Sequence, residues 1–571
     1  MIFVDKKKIA EIVRPEIPYF SEKELEAMIE IPPADFDYTY ALPVFRLAKH
    51  ERKAPKLIAK ELLEKLDKPS YLEDIKAEGP YLNFKVKPII TLRNIFEIKE
   101  DYGKIRDKLR EREIKTERIV IEYPSPNTNK PLHLGHVRNM LIGSSTTKLL
   151  KYKGHKVFQV NLNNDRGIHI CKSMLAYQKF GDEEKPDKKP DHFVGDFYVK
   201  YNELEDKNAD IINKAKELLQ KWEEKNPKVR ALWRKMNKWA IEGFQETYEK
   251  FSISFNKQYF ESDYYWKGKE IVLNGLKNGV FTKTEDGAIQ APLEEKYGLP
   301  DKILLRSDGT SIYITQDIYL AYLKKEDFDY DASIYVVGNE QDLYFKQLFA
   351  VLDMLGFKEH KYHLSYGMIY LPEGKMKSRE GKVVDADDLV KEMNNIAYKE
   401  VNRRYPNLSE EEKTKRSEII GMAALRFFIL KISPKSDFVF DPDESISFEG
   451  ETGPYVQYVY ARIQSIIEKS KVEISQDIDP NQFKHEKELA LIKQLNYFPE
   501  IVDEAAQNYD IHLIPQYLLN LCQTFNSFYS SCPVIQEKKE LERARLLLIR
   551  CVQIVIRIGL NLIGIETLKE M

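Results

Sequence analysis

The stretch 117–163 constrains the fold more than any other part of the chain. ERIVIEY (117–123) is a short β-branched run of the buried-strand type, and the Pro-rich turn PSPNTNKP (124–131) follows it. A helical pattern then runs from Leu132 to Lys153, where Gly154 stops it, and HKVFQVNLN (155–163) reads as the next strand. Strand, helix and strand in that order make a βαβ unit, which implies a parallel sheet and a right-handed crossover.

Around this unit the 571 residues leave room for three or four domains. Residues 1 to about 115 mix IAKELLEKL (58–66), amphipathic at helical spacing, with YLNFKVKP (81–88), which alternates like a strand after the Gly79-Pro80 turn. Residues of about 175–260 are helical and charged, broken by EEKPDKKPD (183–191), and predict a helical insertion in the α/β domain. Strand signals return in ASIYVVGNE (332–340) and KYHLSYGMIYLP (361–372), with a helix near 341–356 between them. Beyond about 410 the pattern is almost wholly helical.

Several function classes are disfavoured at once. No apolar run is long enough to span a bilayer, and the opening MIFVDKKKIAEIV lacks a secretory h-region, so the expected compartment is the cytoplasm. Cys171, Cys522, Cys532 and Cys551 contain no CxxC pair, and no protein metal site is expected. A net charge of −2 argues against a nucleic-acid partner until local bias is considered. The stretch 213–239 is rich in Lys and Arg, and Arg543, Arg550 and Arg557 recur every seven residues along an apolar C-terminal helix. Either run is able to reach phosphates, although a charge run is more often a solvated helix face.

Two motifs carry chemistry. His133-Leu134-Gly135-His136 sits where the Pro-rich turn hands over to a helix, a position with free N–H donors and the positive end of the helix dipole. Its imidazoles are three apart and share a face, and Gly135 leaves room for a flat ring to approach. The set suits a nucleotide whose α-phosphate gains charge during displacement. The second motif, Lys375-Met376-Lys377-Ser378-Arg379-Glu380-Gly381, is a cationic loop of the kind that closes over a departing pyrophosphate.

In this order, the two motifs resemble the HIGH and KMSKS signatures of the class I aminoacyl-tRNA synthetases. Leu134 replaces the isoleucine, and the second motif departs at three places, so Lys377 or Arg379 would supply the charge of the consensus second lysine. Further segments resemble the arginyl enzymes in particular: EYPSPNTNKPLHLGHVRN (122–139), Tyr313-Ile314-Thr315-Gln316-Asp317, FEGETGPYVQYVYARI (448–463), the ending 525–571, and GPYLNFKV (79–86). The resemblance implies a Rossmann-type α/β catalytic domain with a parallel sheet (116–435), a small α/β N-terminal domain (1–115) and an all-α anticodon-binding domain (436–571).

It also implies roles. His133, Gly135, His136, Met376 and Ser378 would bind ATP, and His133, His136, Lys375, Lys377 and Arg379 would stabilise the developing charge. Glu122, Ser125, Asn127, Glu261, Tyr313, Asp317 and Gln347 would hold arginine. A planar cation with five N–H donors needs carboxylate, phenolic or carbonyl acceptors, and Tyr313 and Asp317 share a face if their segment is helical. Lysine would leave acceptors unpaired, which discriminates without editing. Tyr455, Tyr458 and Arg462 are candidates for reading tRNA bases. The implied reactants are ATP with Mg²⁺, L-arginine and the arginine tRNA, and the implied state is a monomer. Rival readings are another class I synthetase, a small-molecule nucleotidyltransferase, and a non-catalytic tRNA-binding scaffold.

Overall fold

The βαβ unit expected at 117–163 lies at the centre of a five-stranded parallel sheet. In the computed structural model, which describes residues 3–33, 36–104, 116–207, 210–371, 374–375 and 384–571, the strands run in the order His360–Tyr366, Ala332–Gly338, Arg118–Glu122, Lys156–Asn163 and Lys257–Phe260. Every neighbouring pair is parallel. From the central strand Arg118–Glu122 the chain winds outward on one side, then returns to begin again on the other. The order therefore reverses between Arg118–Glu122 and Ala332–Gly338, and such a switch point opens a crevice at the carboxyl ends of the strands. Helix Leu134–Tyr152 follows the central strand and is buried almost throughout. It crosses close: a Cβ at Gly143 would lie 2.6 Å from the Tyr123 ring.

Helices Ile168–Phe180, Pro190–Lys207, Ile211–Glu223 and Pro227–Lys250 form the insertion expected near 175–260. They enclose a core of Met174, Tyr177, Phe193, Phe197 and Trp222. The basic stretch 213–239 lies on the last two of these helices.

The segment 361–372, which reads as one run of strand signals, divides in two. His360–Tyr366 belongs to the main sheet, whereas Ile369–Leu371 pairs with Gly374–Lys375 and Phe438–Val439. Gly367 allows the break, because a Cβ there would meet Asp437 Oδ1 at 2.5 Å. The buried guanidinium of Arg138 fixes the bend by donating to the carbonyls of Gly367 (2.5 Å), Pro434 (3.1 Å) and Ser436 (2.8 Å). These elements belong to one unit of the chain, Lys115–Ile446.

The other unit joins Met1–Ile114 to Ser447–Met571. Its N-terminal part holds a three-stranded antiparallel sheet in the order Tyr40–Pro43, Tyr81–Val86, Leu72–Glu78. Its C-terminal part is helical, including Gly453–Lys469, Glu486–Asn496, Phe498–Asn508, Leu513–Ser531 and Lys539–Leu562. Buried polar groups join the two parts. Tyr40 donates to Glu500 (2.8 Å), Asn496 donates to Tyr40 (2.9 Å), and Tyr497 donates to the Thr39 carbonyl (2.8 Å). Among the described residues, no helix is long and apolar enough to cross a membrane.

Candidate active site

The HLGH motif forms the N-terminus of helix Leu134–Tyr152, with His133 as its cap. His133 Nδ1 accepts from the Gly135 N–H (3.2 Å), and His136 Nδ1 accepts from the His133 N–H (3.2 Å). Both Nδ1 atoms are thus occupied as acceptors, which leaves Nε2 as the protonated nitrogen of each neutral ring. The ring centroids stand 3.9 Å apart. Burial, with Lys130 nearby, lowers the His133 pKa to about 3. Burial, His133 and Lys130 hold His136 well below the ordinary histidine value. Two neutral rings with two Nε2–H donors at a helix N-terminus make a site for developing negative charge. Gly135 sits close to the His133 ring, so that a Cβ there would meet it at 3.1 Å and the ring would have to shift by a few tenths of an ångström.

Backbone bonds tie this motif to the far end of the basic loop. Leu134 donates to the Val384 carbonyl (3.0 Å) and Ala386 donates to the Leu132 carbonyl (3.0 Å). Beside them Asp387 receives Lys189 (2.6 Å) and Lys250 (2.5 Å) from the insertion, with His192 at 3.5 Å. Burial would raise the Asp387 carboxyl, but bonds from His192, Lys189 and Lys250 overcome it and keep it well below the usual carboxylate range. Of the loop itself, Lys375 is described only as backbone, paired with Tyr370. Met376, Lys377, Ser378 and Arg379 lie outside the described residues.

Near the carboxyl end of the central strand the structure gathers a cluster of acids. Glu122 ends that strand and pairs with Lys324 Nζ at 2.9 Å, both side chains being buried. Tyr313 and Asp317 lie one turn apart on helix Tyr313–Phe328, as the helical reading requires, but their environments differ. Tyr313 is 76% exposed, whereas Asp317 accepts a hydrogen bond from the Tyr344 hydroxyl. Burial pushes the Asp317 pKa up to about 7, Tyr344 and Lys324 work against it, and Glu122 and Glu261 add to it. Glu261 is buried too, and Arg166 holds it at 3.1 Å. Its carboxyl is raised by burial and lowered in part by Arg166. Asp165 fixes the neighbouring turn by accepting from the Ser262 N–H (2.9 Å) and hydroxyl (2.6 Å).

This arrangement can be set beside known proteins. The model of class I tRNA synthetases (R), catalytic domain, matches residues 103–442. The DALR anticodon binding domain matches 456–571, and the arginyl tRNA synthetase N terminal domain matches 6–86. The arginine–tRNA ligase of Treponema pallidum is 43% identical over 96% of this chain and 95% of its own. This chain belongs to the arginyl-tRNA synthetases. The arginine–tRNA ligase of Bacteroides thetaiotaomicron is 40% identical over the whole of both chains. The Thermus thermophilus arginyl-tRNA synthetase superposes with a TM-score of 0.82 at 26% identity, covering 95% of this chain and 96% of that one. Membership makes the chain an ATP-using ligase with arginine and tRNA as its partners.

The remaining residues expected in a synthetase site are placed unevenly. Ser125 has φ of 56°, donates its N–H to Asn161 Oδ1 (3.2 Å) and accepts from Asn164 at its carbonyl (3.0 Å). Asn127 is exposed in the same turn and bridges to Asn164. Gln347 is buried on helix Asp342–Met354, and its amide donates to the Pro300 carbonyl at 2.9 Å, a structural commitment that the sequence does not reveal. Among the RNA candidates, Arg462 lies over the Tyr458 ring at 4.6 Å and donates to Asn526 (3.2 Å), which itself donates to the Tyr455 hydroxyl (2.8 Å). Tyr529, at 5.8 Å from Arg462, completes this half-exposed face.

The arginines at heptad spacing on the last helix are partly spent within the unit. Arg557 pairs with Glu100 and Arg550 donates to Gln553 (2.5 Å), while Arg543 is exposed. Sequence reasoning missed Arg166, Lys324, Tyr344 and Asp165. Lys324 had one signal: it stands seven residues after Asp317, two helical turns along the same face.

Proposed function

We propose that the chain activates L-arginine with ATP and transfers it to the 3′-terminal adenosine of the arginine tRNA, with the roles divided as follows. Asp317, backed by Glu122 and Glu261, receives the guanidinium, and Tyr313 covers it. Asn127 and Ser125 face the α-amino end. Gln347 reaches the amine only if it releases Pro300. The arginine carboxylate attacks the α-phosphorus in line, the Nε2–H groups of His133 and His136 stabilise the charge that develops, and pyrophosphate leaves with Mg²⁺ that arrived on the nucleotide. The loop 375–381 contributes its cations to those phosphates. Catalysis by this set is positioning and electrostatics, with no protein general base required.

The observation that carries this reading is Asp317: a half-buried carboxylate that receives a phenol while the neighbouring acids Glu122 and Glu261 already hold cations. Such a group calls for a cationic ligand. The reading also takes domains at 1–115, 116–435 and 436–571, a monomer acting in the cytoplasm, and Tyr455, Tyr458 and Arg462 as contacts for tRNA bases.

The test is charging of bulk tRNA with each labelled amino acid in turn, in ATP and Mg²⁺. Arginine alone should become acid-precipitable. Charging with another amino acid would remove the pocket assignment and keep the fold, while tight tRNA binding without any charging would favour a scaffold.

A further inference from the structure

Lys324 is a fully buried charge in the catalytic unit that the proposed reaction does not use. Its side chain has no exposure, and it is held from three directions. Nζ donates to Glu122 Oε2 at 2.9 Å and to Ser333 Oγ at 3.4 Å, and it sits 3.8 Å from the centroid of the Tyr335 ring. Glu122 and Tyr335 are register partners on the two strands that flank the switch point. One ammonium group therefore bridges the two strands on either side of the switch point. A buried lysine is costly unless something needs its charge.

Glu261 shows the same device with a different cation. Arg166 holds it at 3.1 Å and lies 4.0 Å from the Tyr265 ring. Each of these two acids is thus matched by an internal cation, and Asp317 is met by a phenol instead. The groups facing Asp317 are Tyr344 from helix Asp342–Met354, Glu122 from the central strand, Lys324 from its own helix, and Glu261 and Tyr264 from the turn after strand Lys257–Phe260.

We propose that Lys324 is a positioning and specificity-determining residue, which engages Glu122 from within so that Asp317 is the carboxylate left to receive the substrate cation. This rests on the arginine reading above. Lys324 does not touch the reacting atoms, so its effect falls on arginine binding and not on the chemical step.

The experiment follows the KM for arginine against pH in wild type, Lys324→Met, Glu122→Gln and the double variant, with ATP and tRNA saturating and folding checked by circular dichroism. Lys324 pulls the Asp317 titration down and Glu122 pushes it up. Lys324→Met should therefore move the acidic limb of KM upward by about one pH unit, a rise of about fivefold in KM at pH 7 that approaches tenfold at lower pH, with kcat little changed. Glu122→Gln should move the limb downward, and the double variant, which buries no unpaired charge, should return it close to wild type. If Lys324→Met does not fold, a limb lower in Glu122→Gln than in the double variant supports the proposal. A limb that stays in place in every folded variant overturns it, as does a loss confined to kcat. Wild type that charges no arginine at all refutes the functional reading instead, and is distinguished from both.

Discussion

The acid cluster around Asp317 and the aromatic face of helix Gly453–Lys469, the two regions proposed to meet arginine and tRNA, are built by opposite means. In the cluster, Glu122, Lys324 and Glu261 are buried, and their charges are matched internally before any ligand arrives. On the helix, Tyr455, Tyr458 and Arg462 are half-buried and hold one another through Asn526 and a ring contact. Electrostatic interactions are strong and poorly screened where water is excluded, and weak and salt-sensitive where it is not. The cluster should therefore fail sharply when one group is removed, while the face should lose affinity gradually. With the proposed roles, that contrast assigns discrimination of the small substrate to buried charge and of the large one to many modest contacts.

The largest effect should come from Asp317→Ala. It removes the carboxylate proposed to receive the guanidinium and leaves the Tyr344 hydroxyl without its acceptor. Loss of one partner of a buried pair costs about 3–5 kcal/mol, so kcat/KM for arginine should fall by roughly two to four orders of magnitude. Arginine-dependent pyrophosphate exchange measures it. A decline of less than tenfold would mean that the acid cluster behaves like the exposed face.

Next in size are the histidines. His136→Ala should lower the rate of adenylate formation by about two to three orders of magnitude, the usual effect of removing one donor from a developing oxyanion. The KM for arginine should barely move, since neither ring belongs to the acid cluster. Single-turnover formation of arginyl-adenylate separates the two quantities. An equal loss in KM would place His136 in ground-state binding.

A smaller effect comes from pH. The Asp317 carboxyl, raised by burial to about 7, is protonated below that value, and a neutral acid is a poor partner for a cation. Arginine affinity should thus be full above neutrality and fall by about tenfold per unit as pH drops below 7. Isothermal titration with arginine between pH 5.5 and 8.5, where the guanidinium stays charged, would show it. A flat profile would contradict the assignment of Asp317 as the receiving group.

The same contrast explains what the sequence made legible. The central βαβ unit was readable because ERIVIEY, the helix pattern and HKVFQVNLN follow one another with only a Pro-rich turn between the first two, and hydrophobic periodicity is a local signal. The shared face of Tyr313 and Asp317 was readable because residues four apart in a helix lie one turn from each other, whereas their place in a site came from the family resemblance. Lys324, Arg166 and Tyr344 were not: each acquires its meaning from a partner that is far away in sequence, Glu122, Glu261 and Asp317 respectively. The division of KYHLSYGMIYLP had the same cause, since it depends on Arg138 gathering carbonyls from 367 and 433–436. Gln347 shows the reverse, a residue whose type suits a ligand but whose amide is engaged by Pro300.

The smallest effect, and the one that most sharpens the comparison, belongs to the aromatic face. Aromatics at helical spacing are ordinarily core, and Val456, Val459 and Ile463 on this helix are core. Tyr455, Tyr458 and Arg462 occupy the other side, where Arg462 lies between the rings of Tyr458 and Tyr529. Stacking of one base on one such ring is worth about 1–3 kcal/mol, so Tyr458→Ala should raise the KM for tRNA by roughly tenfold and leave arginine-binding affinity unchanged. Arg462→Ala should do the same and also flatten the salt dependence of tRNA binding if the guanidinium meets a phosphate. Filter binding at two salt concentrations, beside a thermal melt, tells the alternatives apart. A lowered melting temperature with unaltered tRNA affinity would return these rings to the core; unaltered melting with weakened binding would make the face the additive counterpart of the acid cluster.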